Sequence, residues 1–226
     1  APLAAPLARA EDAPALGLRD LTVRRGDRVV VERLSASWRA GQVVAITGPS
    51  GTGKTSLLLA ILGLHEAEGA VVVTGERLEP AQRAARIAWS PQSAELTEGT
   101  LDEVVALGAA SVDPAAVDAA LQWARVQDLP RDTVLGPAGD GLSGGQAQRL
   151  ALARAVYRAR ERDCRIVILD EPTSALDSAT EGAVLASVRE LADEGRLVLV
   201  VSHRRSVVVA ADVHLDLQPV AAEVRA

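Results

Sequence analysis

Hydrophobic and polar residues follow two different patterns along the chain. Residues 16–23 and 28–38 alternate between apolar and polar side chains, and the intervening glycine and aspartate favour a β-hairpin. Residues 42–47 and 165–170 are instead continuous apolar runs, which are typical of parallel strands covered on both faces. Further strands are predicted at residues 69–74, 86–89, 197–202 and 212–217.

Helical spacing of apolar residues appears after several of these strands. It predicts helices at residues 56–62 and 178–192, and Ser178 with Glu181 predicts a capping box for the second. Residues 96–157 are predicted to be mainly helical, with loops at residues 128–140, and to contain no strand. The pattern therefore predicts an α/β fold with a mostly parallel core sheet, an N-terminal antiparallel β subdomain and an inserted α-helical subdomain. Within and after the inserted subdomain, helices are expected at residues 101–107, 114–123 and 205–210.

The turn between the run at 42–47 and the helix at 56–62 has the pattern G-x-x-x-x-G-K-T. In such a loop, glycines let successive N–H groups point inward, the lysine reaches terminal phosphates and the threonine hydroxyl ligates Mg²⁺. A glycine-rich turn with a chance lysine is the alternative, but a strand before and a helix after are the context of a phosphate loop. The candidate nucleotide-binding residues are Gly48, Pro49, Ser50, Gly51, Thr52, Gly53, Lys54 and Thr55.

Lys54 is the single lysine of the chain, because every other basic residue apart from histidine is an arginine. An ammonium on a flexible stem enters between two phosphates as a point charge, whereas a flat guanidinium needs a wider slot. The one departure from arginine therefore falls where phosphate binding requires a lysine.

Two acidic residues follow the apolar run at 165–170. Asp170 is placed to hold Mg²⁺ through a water opposite Thr55, and Glu171 to polarise the water that attacks a γ-phosphate. Taken alone, Asp-Glu-Pro after a strand is an ordinary solvated loop. Because a phosphate loop is also present in this chain, the catalytic interpretation of the two acidic residues is favoured over a solvated loop.

A second glycine-rich segment, residues 142–146, precedes a further helix. Its exposed N–H groups and the Ser143 hydroxyl suit an anion, with a plain Gly-Gly turn as the alternative. With the phosphate loop before it and residues 166–172 after it, this segment resembles the nucleotide-binding domain of ATP-binding cassette (ABC) transporters, a P-loop NTPase fold. The resemblance covers residues 16–217, the expected ATPase domain, and implies that nucleotide is also bound by Ser143, Gly144, Gly145 and Gln146.

The resemblance assigns roles to three further residues. Gln92 matches a glutamine that contacts magnesium, Asp177 lies in the loop that crosses the dimer interface, and His203 matches the switch histidine at the γ-phosphate. A lone histidine after a strand is otherwise usually structural. The implied cofactors are ATP and Mg²⁺. The implied catalytic residues are Lys54, Gln92, Glu171 and His203, and the implied metal ligands are Thr55, Gln92 and Asp170.

The resemblance also implies a partner. In this family the 143–146 segment closes over the nucleotide of a second ABC ATPase domain, in the same or a different subunit, so two domains meet head to tail around two ATP molecules. Hydrolysis reopens the pair and drives a transmembrane domain. That domain is expected in the same polypeptide, with the ATPase at the cytoplasmic face of the inner membrane.

Three details resemble exporters. Residues 98–101 place a Gly-Thr after Gln92, and residues 1–15 have the composition of a linker. Residues 133–136 precede the second glycine-rich segment as in exporters, although Pro137 replaces the usual glutamate. Within exporters, two stretches are most similar to the heterodimeric thiol (cysteine/glutathione) exporters linked to cytochrome bd assembly. Soluble non-transport ABC ATPases and importer-type ATPase subunits are the alternatives. The stretches that resemble thiol exporters are residues 141–155 and 202–204.

The segment expected to contact the adenine base of ATP differs from the usual sequence of the family. Arg24 and Arg25 occupy the loop in which an aromatic residue is often found, so either Arg25 stacks on adenine or this contact is weak.

Composition bounds the remaining possibilities. The chain has 226 residues, 48% of them hydrophobic, which is enough for a core, and its net charge of −6 argues against a nucleic-acid partner. Cys164 stands alone, which fits a reducing compartment, and its place just before an apolar strand predicts a buried small residue. The chain has no run of about 18 apolar residues that would span a bilayer. It does not begin with methionine, so residues 1–15 are interpreted as a linker from a preceding domain, with loss of the initiator as the alternative, and residues 218–226 as a tail.

Overall fold

The computed structural model describes residues 14–220, which form three sheets and seven α-helices. The strands are β1 (Leu16–Arg25), β2 (Arg28–Trp38), β3 (Val43–Thr47), β4 (Ala67–Val73), β5 (Glu76–Arg77), β6 (Ile87–Ser90), β7 (Gly99–Thr100), β8 (Val134–Leu135), β9 (Ile166–Asp170), β10 (Leu197–Val201) and β11 (Val213–Asp216). The helices are α1 (Lys54–Leu62), α2 (Pro80–Arg86), α3 (Leu101–Val105), α4 (Pro114–Trp123), α5 (Gly144–Glu161), α6 (Ser178–Asp193) and α7 (Arg205–Ala210).

The predicted hairpin, β1 and β2, forms one side of the N-terminal antiparallel sheet. β1 pairs antiparallel with both β2 and β4, and the strand order is β2-β1-β4-β5. The apolar side chains of the alternating pattern, including Leu16 and Leu21, are buried against α1 and one face of the core sheet. The antiparallel subdomain expected from the sequence is confirmed.

The core sheet is parallel throughout, in the order β11-β3-β10-β9-β6. Its continuous apolar runs are buried on both faces, with α1 and the antiparallel sheet on one side and α5 and α6 on the other. In register, Val201 of β10 lies opposite Ile46 of β3 and Asp170 of β9. Because these strands are parallel and in register, their carboxyl ends meet at one edge, where ligands bind in such sheets.

The inserted helical subdomain consists mainly of α3, α4 and the N-terminal part of α5, whose apolar faces pack together. The expectation that residues 96–157 contain no strand is wrong, because β7 and β8 form a two-stranded antiparallel sheet there. Each of these strands has two residues, which is too short for an alternating pattern to be visible.

Two local predictions also need correction. The polar residues 76–83 predict a connection without a helix or strand, and this is wrong. They contain β5 and most of α2, a helix with no buried residue and therefore no apolar stripe to detect. The capping box at Ser178 does not form. Asp177 is the N-cap of α6, and its carboxylate accepts hydrogen bonds from the N–H groups of Ala179 and Thr180 at 3.0 and 2.9 Å.

Other predictions hold within the described part of the chain. α4 and α7 have the predicted bounds, and Cys164 is buried. Between residues 14 and 220, none of the helices combines the length and the apolar character that a bilayer span requires. Most of the interpreted linker and tail, residues 1–13 and 221–226, lies outside the described residues.

Candidate functional site

The glycine-rich loop between β3 and α1 has a backbone that requires glycine. Gly48 and Gly53 have φ of 139° and 92°, in the region that side chains disfavour. A Cβ at Gly48 would lie 2.3 Å from the carbonyl oxygen of Leu217, and one at Gly53 would lie 3.0 Å from Val30. The loop therefore depends on these two positions having no side chain.

Lys54 begins α1 and bends back over this loop. Its Nζ donates hydrogen bonds to the carbonyl oxygens of Gly48 at 2.7 Å and Pro49 at 3.0 Å. Thr52 is buried, and its hydroxyl donates to the Pro49 carbonyl at 2.9 Å, which braces the loop from within. Phosphate oxygens can replace these carbonyl contacts of the ammonium without opening the fold.

A cavity of about 420 Å³ lies at the carboxyl edge of the parallel sheet, a volume within the usual range for ligand sites. Residues predicted from the sequence make up most of its lining: Arg25, Gly48, Ser50, Gly51, Gly53, Lys54, Thr55, Gln92, Asp170, Glu171 and His203. It is completed by Val30, Ser56, Ser174 and Val201, which the sequence analysis did not single out.

A larger cavity of about 890 Å³ lies between the antiparallel sheet and the C-terminal end of α1. Its described lining includes Arg24, His65 and Arg83, but none of the residues of the glycine-rich loop and neither Asp170 nor Glu171. The chemistry predicted from the sequence is therefore concentrated in the smaller cavity.

Asp170 and Thr55 approach each other across the smaller cavity. The Thr55 hydroxyl donates to Asp170 Oδ2 at 3.4 Å, and Asp170 is only 3% exposed. Burial raises the pKa of Asp170 to about 6, against the lowering effects of the Thr55 hydrogen bond and the Lys54 charge. A buried carboxylate beside a hydroxyl, without a bonded cation, fits a hard divalent cation such as Mg²⁺, and the Gln92 side chain lines the same space.

Replacing Asp170 with Asn should stabilise the nucleotide-free and magnesium-free protein at alkaline pH. The pKa of Asp170 is about 6 in the folded protein and 3.8 for an unperturbed aspartate, as in the unfolded chain, so the folded protein binds more protons between these pH values. The free energy of unfolding of the wild type therefore falls as the pH rises through this window and stays low above it. We expect Asp170→Asn to raise it by roughly 2–3 kcal/mol near pH 8, as measured by urea unfolding.

The same comparison near pH 4 provides the control. There Asp170 is already protonated in the folded wild type, so the difference between the two proteins should nearly disappear. An equal gain at both pH values would mean that the carboxylate charge is not the cause.

Glu171 is held in an unusual backbone conformation beside His203. Its φ of 52° lies in the left-handed region, which costs a residue with a side chain about 1–2 kcal/mol. Its side-chain Oε1 lies 3.0 Å from Nδ1 of His203, and the residue is 8% exposed. The carboxylate and the imidazole thus meet at the cavity, opposite the glycine-rich loop.

The predicted residues of the second glycine-rich segment do not line this cavity. Ser143 is the N-cap of α5, where its hydroxyl accepts from the Gln146 N–H at 3.2 Å and its own N–H donates to Gln146 Oε1 at 2.9 Å. Ser143 and Gly144 are exposed, and so is Asp177 at the start of α6. In a single chain, Ser143, Gly144, Gly145, Gln146 and Asp177 lie on the surface outside the site formed by the other candidates.

Two polar residues near the site are not predicted from the sequence to have a role in it. Gln148 is a buried residue on α5 that bonds to residues 171–175. Arg204 lies beside His203 and bonds to Glu181 and to the carbonyls of Ser174 and Leu176. A glutamine among the apolar positions of α5 was the available signal for the first.

Comparisons with known proteins agree with this geometry. A protein-family model described as "ABC transporter" matches residues 31–174. The mycobactin import ATP-binding/permease protein IrtB of Mycolicibacterium thermoresistibile is 37% identical over 217 residues, which are 91% of this chain and 36% of the relative. The ATP-dependent lipid A-core flippase of Ralstonia nicotianae is 39% identical over 214 residues, 87% of this chain and 35% of the relative.

A solved structure is similar along nearly the whole chain. The structure of a bacterial Atm1-family ABC exporter with ATP bound matches with a TM-score of 0.83 and 30% identity, over 93% of this chain and 39% of that chain. The predicted P-loop NTPase fold is confirmed by this match. The chain spans about a third of the length of the curated relatives. Since the family model covers more than half of its residues, the chain belongs to the ABC transporter family.

Proposed function

We propose that the chain is the ATP-hydrolysing domain of a membrane exporter and works by ATP-driven head-to-tail pairing with a second ABC ATPase domain. One observation carries this proposal. The cavity gathers the phosphate loop, both acidic residues and His203, whereas the 143–146 segment lies outside it and is free to face another copy.

The residues of the cavity suit phosphoryl transfer to water. The loop N–H groups and Lys54 bind and orient the β- and γ-phosphates. Thr55, Gln92 and Asp170 would hold Mg²⁺, which supplies charge neutralisation at the phosphates when bound. Glu171 accepts the proton of the attacking water, and His203, 3.0 Å from it, donates a hydrogen bond towards the γ-phosphate.

Pairing follows from the position of the exposed segment. Ser143 and the N–H groups at the start of α5 form an exposed anion-binding end outside the cavity that would hold the chain's own nucleotide. A second domain, identical or different, would bring its phosphate loop to this end, and Asp177 would lie at the interface. Hydrolysis separates the γ-phosphate that both domains contact, so the pair opens.

Export is the direction that the comparisons favour. The flippase and the Atm1-family exporter support it, although one relative is named for mycobactin import. Since those relatives are about three times as long as this chain, we infer that a transmembrane domain accompanies it, with the ATPase at the cytoplasmic face of the membrane. A soluble ABC ATPase would instead stay in the supernatant when membranes of the source cells are sedimented.

The narrower proposal is a thiol exporter, which rests on residues 141–155 and 202–204 alone. Stimulation of ATP hydrolysis by cysteine or glutathione in the full-length protein would support it, and stimulation by lipid alone would favour a lipid flippase.

Mixing two inactive variants tests the shared site. Ser143→Ala and Lys54→Ala should each lose most hydrolysis, but a mixed pair contains one intact site, formed by Lys54 of one domain and Ser143 of the other. A one-to-one mixture should therefore regain about a quarter of the wild-type rate, since half of random pairs are mixed and one of their two sites is intact. Steady-state phosphate release measures this.

The matched control mixes two differently tagged Ser143→Ala preparations, which should regain nothing. If the Ser143 and Lys54 variants also fail to complement each other, each chain serves its own nucleotide and the head-to-tail proposal is wrong.

A further inference from the structure

Gln148 is a polar side chain in a buried place, with 7% of its surface exposed. Its Nε2 donates to the backbone carbonyl of Glu171 at 2.6 Å and to Ser174 Oγ at 2.9 Å, and its Oε1 accepts from the N–H of Ala175 at 3.0 Å. Both N–H groups and the oxygen of the side-chain amide are therefore hydrogen-bonded to residues of one short segment, 171–175. A buried amide with such complete pairing fixes the position of its partners.

The most consequential partner is the backbone of Glu171. Its φ of 52° is unfavourable for a residue with a side chain, so the conformation persists only where the surroundings hold it. Three hydrogen bonds to its backbone do so. The Glu171 N–H donates to the carbonyl of Val201 at 2.9 Å, and the Glu171 carbonyl accepts from the Ser174 N–H at 3.2 Å and from Gln148 Nε2 at 2.6 Å. Gln148 thus supplies the one side-chain hydrogen bond among these three, and it is the shortest of them.

The helix that carries Gln148 also links Glu171 to the second glycine-rich segment, residues 143–146. Gln148 lies on α5, a helix of 18 residues that begins directly after Ser143. The capping box of Ser143 and Gln146 makes the segment part of the first turn of that helix. Because Gln148 follows this first turn on the same helix, a displacement of the 143–146 segment would also displace Gln148 and, through its hydrogen bond, the backbone of Glu171.

We propose that Gln148 is a positioning residue that holds Glu171 in its hydrolytic orientation and transmits the position of the 143–146 segment to it. The inference rests on the proposed function, in which Glu171 receives the proton of the attacking water. Gln148 itself touches neither the phosphate loop nor the cavity. Its loss therefore affects the chemical step and leaves nucleotide binding unchanged.

The test is steady-state ATP hydrolysis by the full-length protein carrying Gln148→Met. Methionine keeps the length and approximate volume but removes both donors and the acceptor. We expect kcat to fall by about 10- to 100-fold, the range for a misplaced catalytic group, while KM for ATP stays within about twofold. Gln122→Met on the exposed face of α4 is the matched control and should leave both constants unchanged.

Two additional variants make the result decisive. Gln148→Asn keeps an amide in the buried space but is one methylene too short to reach the 171–175 segment, so it should show the same kcat loss even if the methionine variant folds poorly. A double-mutant cycle with Glu171→Gln distinguishes positioning from general damage. Because Gln148 acts through Glu171, adding Gln148→Met to Glu171→Gln should lower the residual turnover by less than about threefold.

Three results separate the possible failures. Unchanged kcat in both Gln148 variants, or an additive loss in the double variant, overturns the role of Gln148 while the proposed function stands. A rise in KM equal to the loss in kcat/KM, with kcat unchanged, also overturns it, because the defect would then be in binding. Full turnover of Glu171→Gln alone contradicts the proposed function instead.

Discussion

Replacing Glu171 with Gln should leave ATP binding intact and remove nearly all turnover. The substitution keeps the shape and the hydrogen-bonding reach of the side chain but cannot accept a proton at neutral pH. General base catalysis typically contributes about 10²–10⁴-fold, so kcat should fall by that factor while the affinity for ATP changes little. The nucleotide would then remain uncleaved between two domains, and a closed pair should persist on a sizing column in ATP and Mg²⁺.

Glu190→Gln, the same chemical change at an exposed position of α6, is the control for this experiment and should behave as wild type. Hydrolysis at the wild-type rate by the Glu171 variant would remove Glu171 as the general base. A low rate without a persistent pair would separate the two parts of the proposal, since the chemistry would stand and the nucleotide-bridged dimer would not.

Much of the candidate site was predictable because its signals are local. The phosphate loop is a contiguous segment whose glycines, lysine and threonine are needed in a fixed order, and the apolar runs on either side of the inserted subdomain identify buried parallel strands. Parallel strands in register bring their carboxyl ends together. Asp170 and Thr55, which are 115 positions apart in the chain, could therefore be expected to lie close together. The Thr55 hydroxyl oxygen is 3.4 Å from Asp170 Oδ2.

The features that sequence analysis missed lack a local signal. α2 buries no residue, β7 and β8 have two residues each, and the N-cap of α6 depends on a choice between Asp177 and Ser178 that only the backbone decides. The role of Gln148 is defined by hydrogen-bond partners 23 to 27 positions away in the sequence. The spacing of apolar residues in helices and strands gives no information on contacts at such separations. Long-range polar contacts of this kind appear only when the packing is known.

Replacing Lys54 should abolish hydrolysis whether or not the positive charge is kept. Among residues 14–220, the ammonium is hydrogen-bonded to the carbonyls of Gly48 and Pro49 and to no carboxylate, so it is available to phosphate oxygens. Lys54→Ala removes the charge, and Lys54→Arg replaces a point charge with a flat fork that does not fit between the β- and γ-phosphates. We expect kcat/KM for ATP to fall by about 100-fold or more in both variants, a loss of roughly 3 kcal/mol of transition-state stabilisation.

Wild-type activity in Lys54→Arg and wild-type activity in Lys54→Ala would contradict different parts of this prediction. Both leave the core unchanged, because the contacts of Lys54 are to the carbonyls of its own loop, and we expect the free energy of unfolding to change by less than about 1 kcal/mol. Wild-type kinetics in Lys54→Arg alone would show that charge is sufficient, so the single lysine of the chain would not be explained by its shape. Wild-type kinetics in Lys54→Ala would mean that this loop does not bind the phosphates that are cleaved, and the assignment of the cavity would have to be abandoned.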